Sequence, residues 1–171
     1  MDTQERRRAL VRHLQATQQP VAGGALAQQF GVSRQVIVQD MSVLRAAGHP
    51  ILATAQGYLW LAPTSAPRAQ AIVAVRHTPE QTEDELLRLV DAGVTVVNVI
   101  VEHPIYGEVT GQLMHRSRAD VYAFMDRLRA TKARLLSELT DGVHLHTLEA
   151  EEPARLMAAR ATLRQAGYLM E

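Results

Sequence analysis

The stretch GGALAQQFGVSRQVIVQDMSVLRAAG (residues 23–48) decides the fold of the front of the chain. Leu26, Ala27 and Phe30 form the apolar side of a short helix. Gly31 then supplies the left-handed position at which helices commonly stop. Val32 plugs the turn, and Ser33 is an N-cap for a second helix. In that second helix Ile37, Met41 and Leu44 recur at i, i+4 and i+7, which turns them toward one core. Gly48 closes it. Two helices joined by so short a turn have helix-turn-helix geometry. The outward side of the second helix carries Ser33, Arg34, Gln35, Val38, Gln39 and Ser42. Arg and Gln can pair bidentately with base edges in a major groove, and Val38 can meet a thymine methyl.

The flanks agree. Residues 3–16 read as a helix with Ala9, Leu10, Val11 and Leu14 on one side and Arg6, Arg7, Arg8 and Arg12 largely exposed. QQP (18–20) breaks it. PILATAQGYLWL (50–61) reads as two short strands around a turn, a wing. Asp40, inside the recognition helix, would repel phosphate if it faced outward, so it is expected to pair or pack within the module. The run LAQQFGVSRQVIVQDMSVLRAAG with GYLW closely resembles the winged helix-turn-helix of bacterial repressors and biotin-ligase regulators.

The net charge of zero hides an asymmetry. Residues 1–66 hold six Arg against Asp2, Glu5 and Asp40, whereas residues 67–171 hold 12 basic and 15 acidic residues. Opposite signs in the two halves suggest two domains with different partners. APTSAPRA (62–69) reads as their linker. The expected division is a DNA-binding domain over 1–62 and a regulatory domain over 68–171. The modest basic excess favours a homodimer on a palindromic operator. No cysteine is present, which excludes disulfides, thiolate zinc sites and cysteine nucleophiles. The N-terminal MDTQERRRAL lacks the apolar run of a signal peptide, and no apolar stretch reaches membrane-spanning length. A cytoplasmic protein with no membrane partner is expected.

The rear half alternates strands and helices. AQAIVAV (69–75) and VTVVNVIVE (94–102) are apolar strands, with a helix over 79–92 between them. Thr78, Pro79 and Gln81 make a capping pattern for that helix, and its first turns are acidic, as the helix dipole favours. EVTGQLM is a further strand. Ser117 opens a helix, and more helix follows to about Leu139. GVHLHTLEA is the next strand, EPARLMAARATLRQAG a closing helix, and YLM a short extended end. The order is roughly βαββαβα, an α+β fold with an open sheet and helices on one face.

Five of the seven histidines lie here. His144 and His146 share one strand face, ~6–7 Å apart along the strand. His77 and His103 sit at strand ends. Imidazoles converging from separate segments, with a carboxylate, would make a metal site. On spacing alone Glu83, Asp84 and Glu85 are equal candidates for that carboxylate. An HxH pair on a strand is often only two satisfied or exposed histidines, and His103 is compatible with ordering of the HPIYG turn. His115, beside Arg116, reads as a surface residue.

RHTP…EDELL, VEHPIYGE and GVHLHT, in this order behind a winged helix, resemble the bacterial repressors that respond to nicotinic acid. The rear part of those proteins is called the three-histidine domain. The resemblance spans essentially the whole chain. It implies a repressor, not an enzyme, of niacin-uptake or NAD-biosynthesis genes, with nicotinic acid as co-repressor and one divalent transition metal per chain, nickel or zinc. It maps the metal ligands onto His77, Glu85, His144 and His146, and implies that His103 and Tyr106 shape the effector pocket. Two other readings stand beside it. One is a metal-dependent hydrolase carrying a DNA-binding domain. The other is a repressor that senses the metal itself.

Overall fold

In the computed structural model of the protein, residues 1–62 and 68–171 are described. They divide into two compact units, Met1–Ser65 and Ala66–Glu171. The expected linker, 62–69, falls largely outside the described residues, and its last residue already belongs to a strand.

The N-terminal unit has helices α1 (Thr3–Ala16), α2 (Gly23–Phe30) and α3 (Arg34–Ala46), followed by strands β1 (Ile51–Thr54) and β2 (Gly57–Trp60). Asp2 caps α1 with a capping box shared with Glu5. Ser33 caps α3, its hydroxyl accepting from the Val36 N–H at 3.2 Å. Gly31 stands at φ +64°, the left-handed stop between α2 and α3. Leu10, Leu14, Leu26, Ile37, Met41, Leu44 and Ile51 form the core, with Tyr58 and Trp60 of the wing packed against it. The β1–β2 hairpin is antiparallel, with Ile51 opposite Trp60 and Thr54 opposite Gly57. Val21 adds a one-residue bridge to Tyr58. That close approach requires glycine at 57, because a Cβ there would lie 2.3 Å from the Val21 carbonyl oxygen.

Asp40 is buried on the side of α3 that faces α1, where Arg6 Nε donates to one carboxylate oxygen at 2.6 Å and Arg7 Nε to the other at 2.8 Å. The expectation that Arg6 and Arg7 are largely exposed, with Arg8 and Arg12, is corrected for this pair. Both are partly buried, because a carboxylate removed from water needs ionised donors at both oxygens. Arg8 and Arg12 remain exposed.

The C-terminal unit is built on a four-stranded antiparallel sheet of order β3-β6-β4-β5. Its strands are β3 (Ala69–Arg76), β4 (Thr95–His103), β5 (Gly107–His115) and β6 (Val143–Ala150). Helices α4 (Thr82–Asp91), α5 (Arg118–Thr131) and α6 (Pro153–Ala166) pack on one another and on the sheet. The helix expected over 79–92 opens as a 3-10 turn, Pro79–Gln81, before α4 begins. The helix opened by Ser117 stops at Thr131, where Lys132 turns left-handed, and the further helical stretch expected to about Leu139 is a 3-10 turn over Leu136–Thr140. Along β6, His144, His146, Leu148 and Ala150 are buried at every second position. Their neighbours on β3, Val75 opposite His144 and Val73 opposite His146, are buried too, while Ile72 on the other face is 60% exposed. The extended end joins the sheet edge: Leu169 bridges Val75, and the Met170 N–H donates to Ala74 at 2.9 Å.

Asp40→Ala is expected to destabilise the N-terminal unit by about 2 kcal/mol, read from denaturant unfolding followed at Trp60, the chain's one tryptophan. Burial pushes the Asp40 carboxyl up, but hydrogen bonds from Arg6 and Arg7 and their charges outweigh it and hold the pKa below its ordinary 3.8. The contribution is therefore complete above about pH 4 and is lost as the pH falls through the lower folded value. Acid should destabilise Asp40→Ala less steeply than the wild type in that range.

Candidate metal centre and DNA-reading face

Four side chains meet between α4 and the sheet. His77 follows β3, Glu85 projects from the first turn of α4, and His144 and His146 point inward from β6. All four are buried: 7%, 1%, 4% and 2% exposed. His77, Glu85 and His144 each offer one ligand atom within 4.8 Å of the others. His77 Nε2 lies against Glu85 Oε2. His144 Nε2 is 3.5 Å and His146 Nε2 2.9 Å from Oε1 of the same carboxylate. Successive rings stand nearly perpendicular with centroids 4.8 Å apart.

The far side of each ring fixes its chemistry. His77 Nδ1 donates to the Thr78 carbonyl at 2.7 Å, His144 Nδ1 to Gly142 at 2.9 Å, and His146 Nδ1 to Asn98 at 2.7 Å. A carbonyl can only accept, so Nδ1 carries the proton in all three rings. In the neutral imidazole the inward Nε2 is then a bare lone pair, the tautomer that ligates metals. Among the described residues, Nε2 of His146 and Oε1 of Glu85 have no hydrogen bond although 2.9 Å apart. Two acceptors facing each other in a buried site need a cation between them, and a proton or a metal ion would serve.

The electrostatics agree. Burial pushes the Glu85 carboxyl up, but His146, His144 and His77 outweigh it and hold the group well below its ordinary 4.5. Burial lowers the pKa of His77 and of His146, yet Glu85 raises both above 6.5. The pocket is thus built around a fixed negative charge. The donor set, imidazole nitrogens with one carboxylate and no thiolate, could hold a divalent transition metal.

Glu83 and Asp84 point elsewhere. Glu83 pairs with Arg129 at 3.1 Å. Asp84 accepts from Arg88 at 2.8 Å and from the Tyr168 hydroxyl at 2.7 Å. Tyr168, which the sequence pattern does not single out, packs its ring at a steep angle to His77 with the ring centroids 5.3 Å apart. Burial and the Asp84 carboxylate push its hydroxyl up to about 12. Asn98 was missed as well: its main-chain carbonyl leaves no trace in residue type, and the one signal was an amide side chain inside the β-branched run VTVVNVIVE.

His103 and Tyr106 sit in the turn between β4 and β5. His103 Nδ1 accepts from the Ile105 and Tyr106 N–H groups at 3.1 and 3.3 Å, and Tyr106 is 78% exposed. Neither reaches the His77–Glu85 cluster within one chain, and neither lines the two cavities beside it. One cavity, of about 400 Å³, is walled by Arg76, His77, Thr78, Arg134, Ser137 and Gly142, with others. The second, of about 450 Å³, includes Ile100, Glu102, Glu108 and His144. His115, expected at the surface, is fully buried with its ring 5.0 Å from Phe124. The reason is a register shift between β4 and β5, which sets its partner at Val96 and turns the ring inward. Burial pushes its pKa down to about 4, so it is neutral at pH 7.

On the N-terminal unit, Ser33, Arg34, Gln35, Val38, Gln39 and Ser42 are all exposed. Ile37, Met41 and Leu44 hold the opposite side of α3 in the core. Ser33 and Ser42 are partly engaged: the first caps α3, and the second donates to the Val38 carbonyl at 2.8 Å. Arg34, Gln35 and Gln39 make no side-chain hydrogen bond or ion pair among the described residues, so their donors are open to a duplex.

Comparison with known proteins matches both units. A 3H domain covers residues 70–171 and a helix-turn-helix (HTH) domain residues 6–59. The chain is 45% identical over 168 residues to "Transcription repressor NadR" of Bacillus subtilis (strain 168), covering 97% of this chain and 93% of that protein. It is 41% identical over 168 residues to "Probable transcription repressor NiaR" of Thermotoga maritima, covering 98% and 95%.

Gly142 gives the cluster its sharpest steric test. It lies at φ +87°, and a Cβ there would fall 2.4 Å from the His77 carbonyl oxygen. Gly142→Ala must therefore part β6 from the His77 turn. It is expected to cost about 2 kcal/mol or more in thermal unfolding of the C-terminal unit.

Proposed function

The chain belongs to the NadR and NiaR family of transcription repressors, and from that premise we propose that it is a metal-containing dimer whose grip on operator DNA is set by a small organic acid. That it binds DNA through its helix-turn-helix, and is a regulator rather than an enzyme, follows from the family. The metal, the effector, the dimer and the residue roles are the proposal.

The observation that carries it is the convergence of three imidazole Nε2 atoms on one buried carboxylate, with every Nδ1–H tied to a backbone carbonyl. His77, Glu85, His144 and His146 would hold a divalent transition metal, nickel or zinc. When bound, it supplies a Lewis-acidic point that can take a carboxylate or a pyridine nitrogen. The residues supply the rest. Glu85 balances the charge, the three carbonyls orient the rings, and Tyr168 covers His77. The cavity beside His77 would give a small anion its approach if Arg76 and Arg134 turned from Asp141 and Glu138, their partners in its wall. His103 and Tyr106, as the resemblance implies, would shape the effector pocket. They are not brought to the cluster within one chain, so that role requires them to move or a second copy to supply them.

The effector proposed is nicotinic acid, and the genes controlled are those of niacin uptake or NAD synthesis. Effector binding can raise operator affinity only by favouring one placement of the two DNA-reading modules over others. On the duplex, Arg34, Gln35 and Gln39 would read base edges, Val38 would meet a thymine methyl, and Ser33 would contact phosphate, as would Ser42 once its hydroxyl turns from the Val38 carbonyl. Arg34→Ala is expected to cost about 1–3 kcal/mol of operator binding.

A second reading, in which the metal itself is the signal, is favoured by the near-complete burial of the four ligands. Operator affinity measured in metal-loaded protein with and without nicotinate separates the two. A rise with nicotinate is expected, and equal affinities would remove the co-repressor. Titration of metal without any organic acid would then decide for or against the metal as signal. Elemental analysis should find about one transition metal per chain and almost none in His144→Ala/His146→Ala. Metal affinity should fall in mild acid, as protons compete for the imidazoles.

A further inference from the structure

We propose that Asn98 is a positioning residue for the metal centre, holding His146 in its ligating orientation from a bulge in β4; this rests on the metal reading above. Between Val96 opposite Leu148 and Ile100 opposite Leu145, β4 advances four residues while β6 advances three. The extra residue interrupts the ladder where His146 and Thr147 would otherwise pair. Asn98 occupies the gap twice over. Its backbone carbonyl accepts the His146 Nδ1–H at 2.7 Å, and its side-chain Oδ1 accepts the Thr147 N–H at 2.9 Å.

The two bonds serve different ends. The first fixes the tautomer and plane of the His146 ring, so that Nε2 faces Glu85 Oε1. The second satisfies an amide that the bulge leaves without a strand partner and keeps the strand registered beside the ring. In a regular ladder the Asn98 carbonyl would face a backbone N–H, and the imidazole would lose its acceptor. An aliphatic residue at 98 would keep the carbonyl but leave the Thr147 N–H unpaired, and the strand would have to shift to satisfy it. Asn is therefore required at this position for its side-chain oxygen, although it never touches the metal. Outer partners of this kind typically change metal affinity 10- to 100-fold.

The test measures zinc(II) and nickel(II) affinity of the full chain by chelator competition. Asn98→Leu is expected to weaken binding about 10-fold or more, and Asn98→Asp, which keeps an acceptor oxygen, to stay within a few-fold of wild type. The nickel(II) ligand-field spectrum should change in Asn98→Leu and not in Asn98→Asp. In a His146→Ala background, Asn98→Leu should cost little more, because its effect runs through that ring. If Asn98→Leu does not fold, Asn98→Ser replaces it, since Ser shortens the side chain without adding bulk. The proposal is overturned if the wild type binds metal and the Leu or Ser variant binds it equally well, or if the loss persists undiminished without His146. A wild type that binds neither metal overturns the metal reading itself and this one with it.

Discussion

A carboxylate buried at 1% exposure among three imidazoles is the constraint from which the C-terminal unit takes its form. Glu85 cannot be left alone in that position, because an ionised carboxylate without water needs partners at both oxygens. The rings that meet it could donate from Nε2 only if Nδ1 were free of its proton or the ring were charged. Three backbone carbonyls claim Nδ1–H instead, from Thr78, Gly142 and Asn98. The protein has committed its backbone to turning all three Nε2 atoms toward one carboxylate, with a proton or a metal ion to be held between them. Much of the local architecture follows: the glycine that lets β6 pass close to the His77 turn, the bulge that frees the Asn98 carbonyl, and the Tyr168–Asp84 bond that seals the edge.

The N-terminal unit shows the same rule with a different outcome. Asp40 lies in the recognition helix, where an outward carboxylate would oppose phosphate. It is turned instead against α1, and two guanidiniums neutralise it. This consumes part of the module's basic charge, leaving Arg8, Arg12, Arg34 and Arg45 as its exposed cations. A single copy is a modest partner for a polyanion, and two copies would double the cationic surface presented to a duplex.

Local patterns carried the elements. The αL glycine at 31, the caps at Ser33 and Ser117, the wing and the βαββαβα order were all legible, because each depends on residues a few positions apart. Two readings failed for one shared reason. His115 was expected outside because its neighbour is charged, and Arg6 and Arg7 because their helix face is polar. Register shift buries the first, and a carboxylate more than thirty residues away recruits the others. Neither cause is local.

The candidate site divides along the same line. Period-two alternation is a property of the strand itself, so the sequence alone placed His144 and His146 on one face of β6. It also placed His77 at a strand end, and excluded thiolate ligands outright. It left Glu83, Asp84 and Glu85 equivalent, since a helix face has no inside until something packs on it. The tertiary structure broke that tie, sending Glu83 to Arg129, Asp84 to Tyr168 and Glu85 to the histidines. It alone decided which nitrogen of each ring faces inward, because a tautomer is set by the acceptor across from it. Those acceptors are main-chain carbonyls, identical in every residue, and only packing determines where they point.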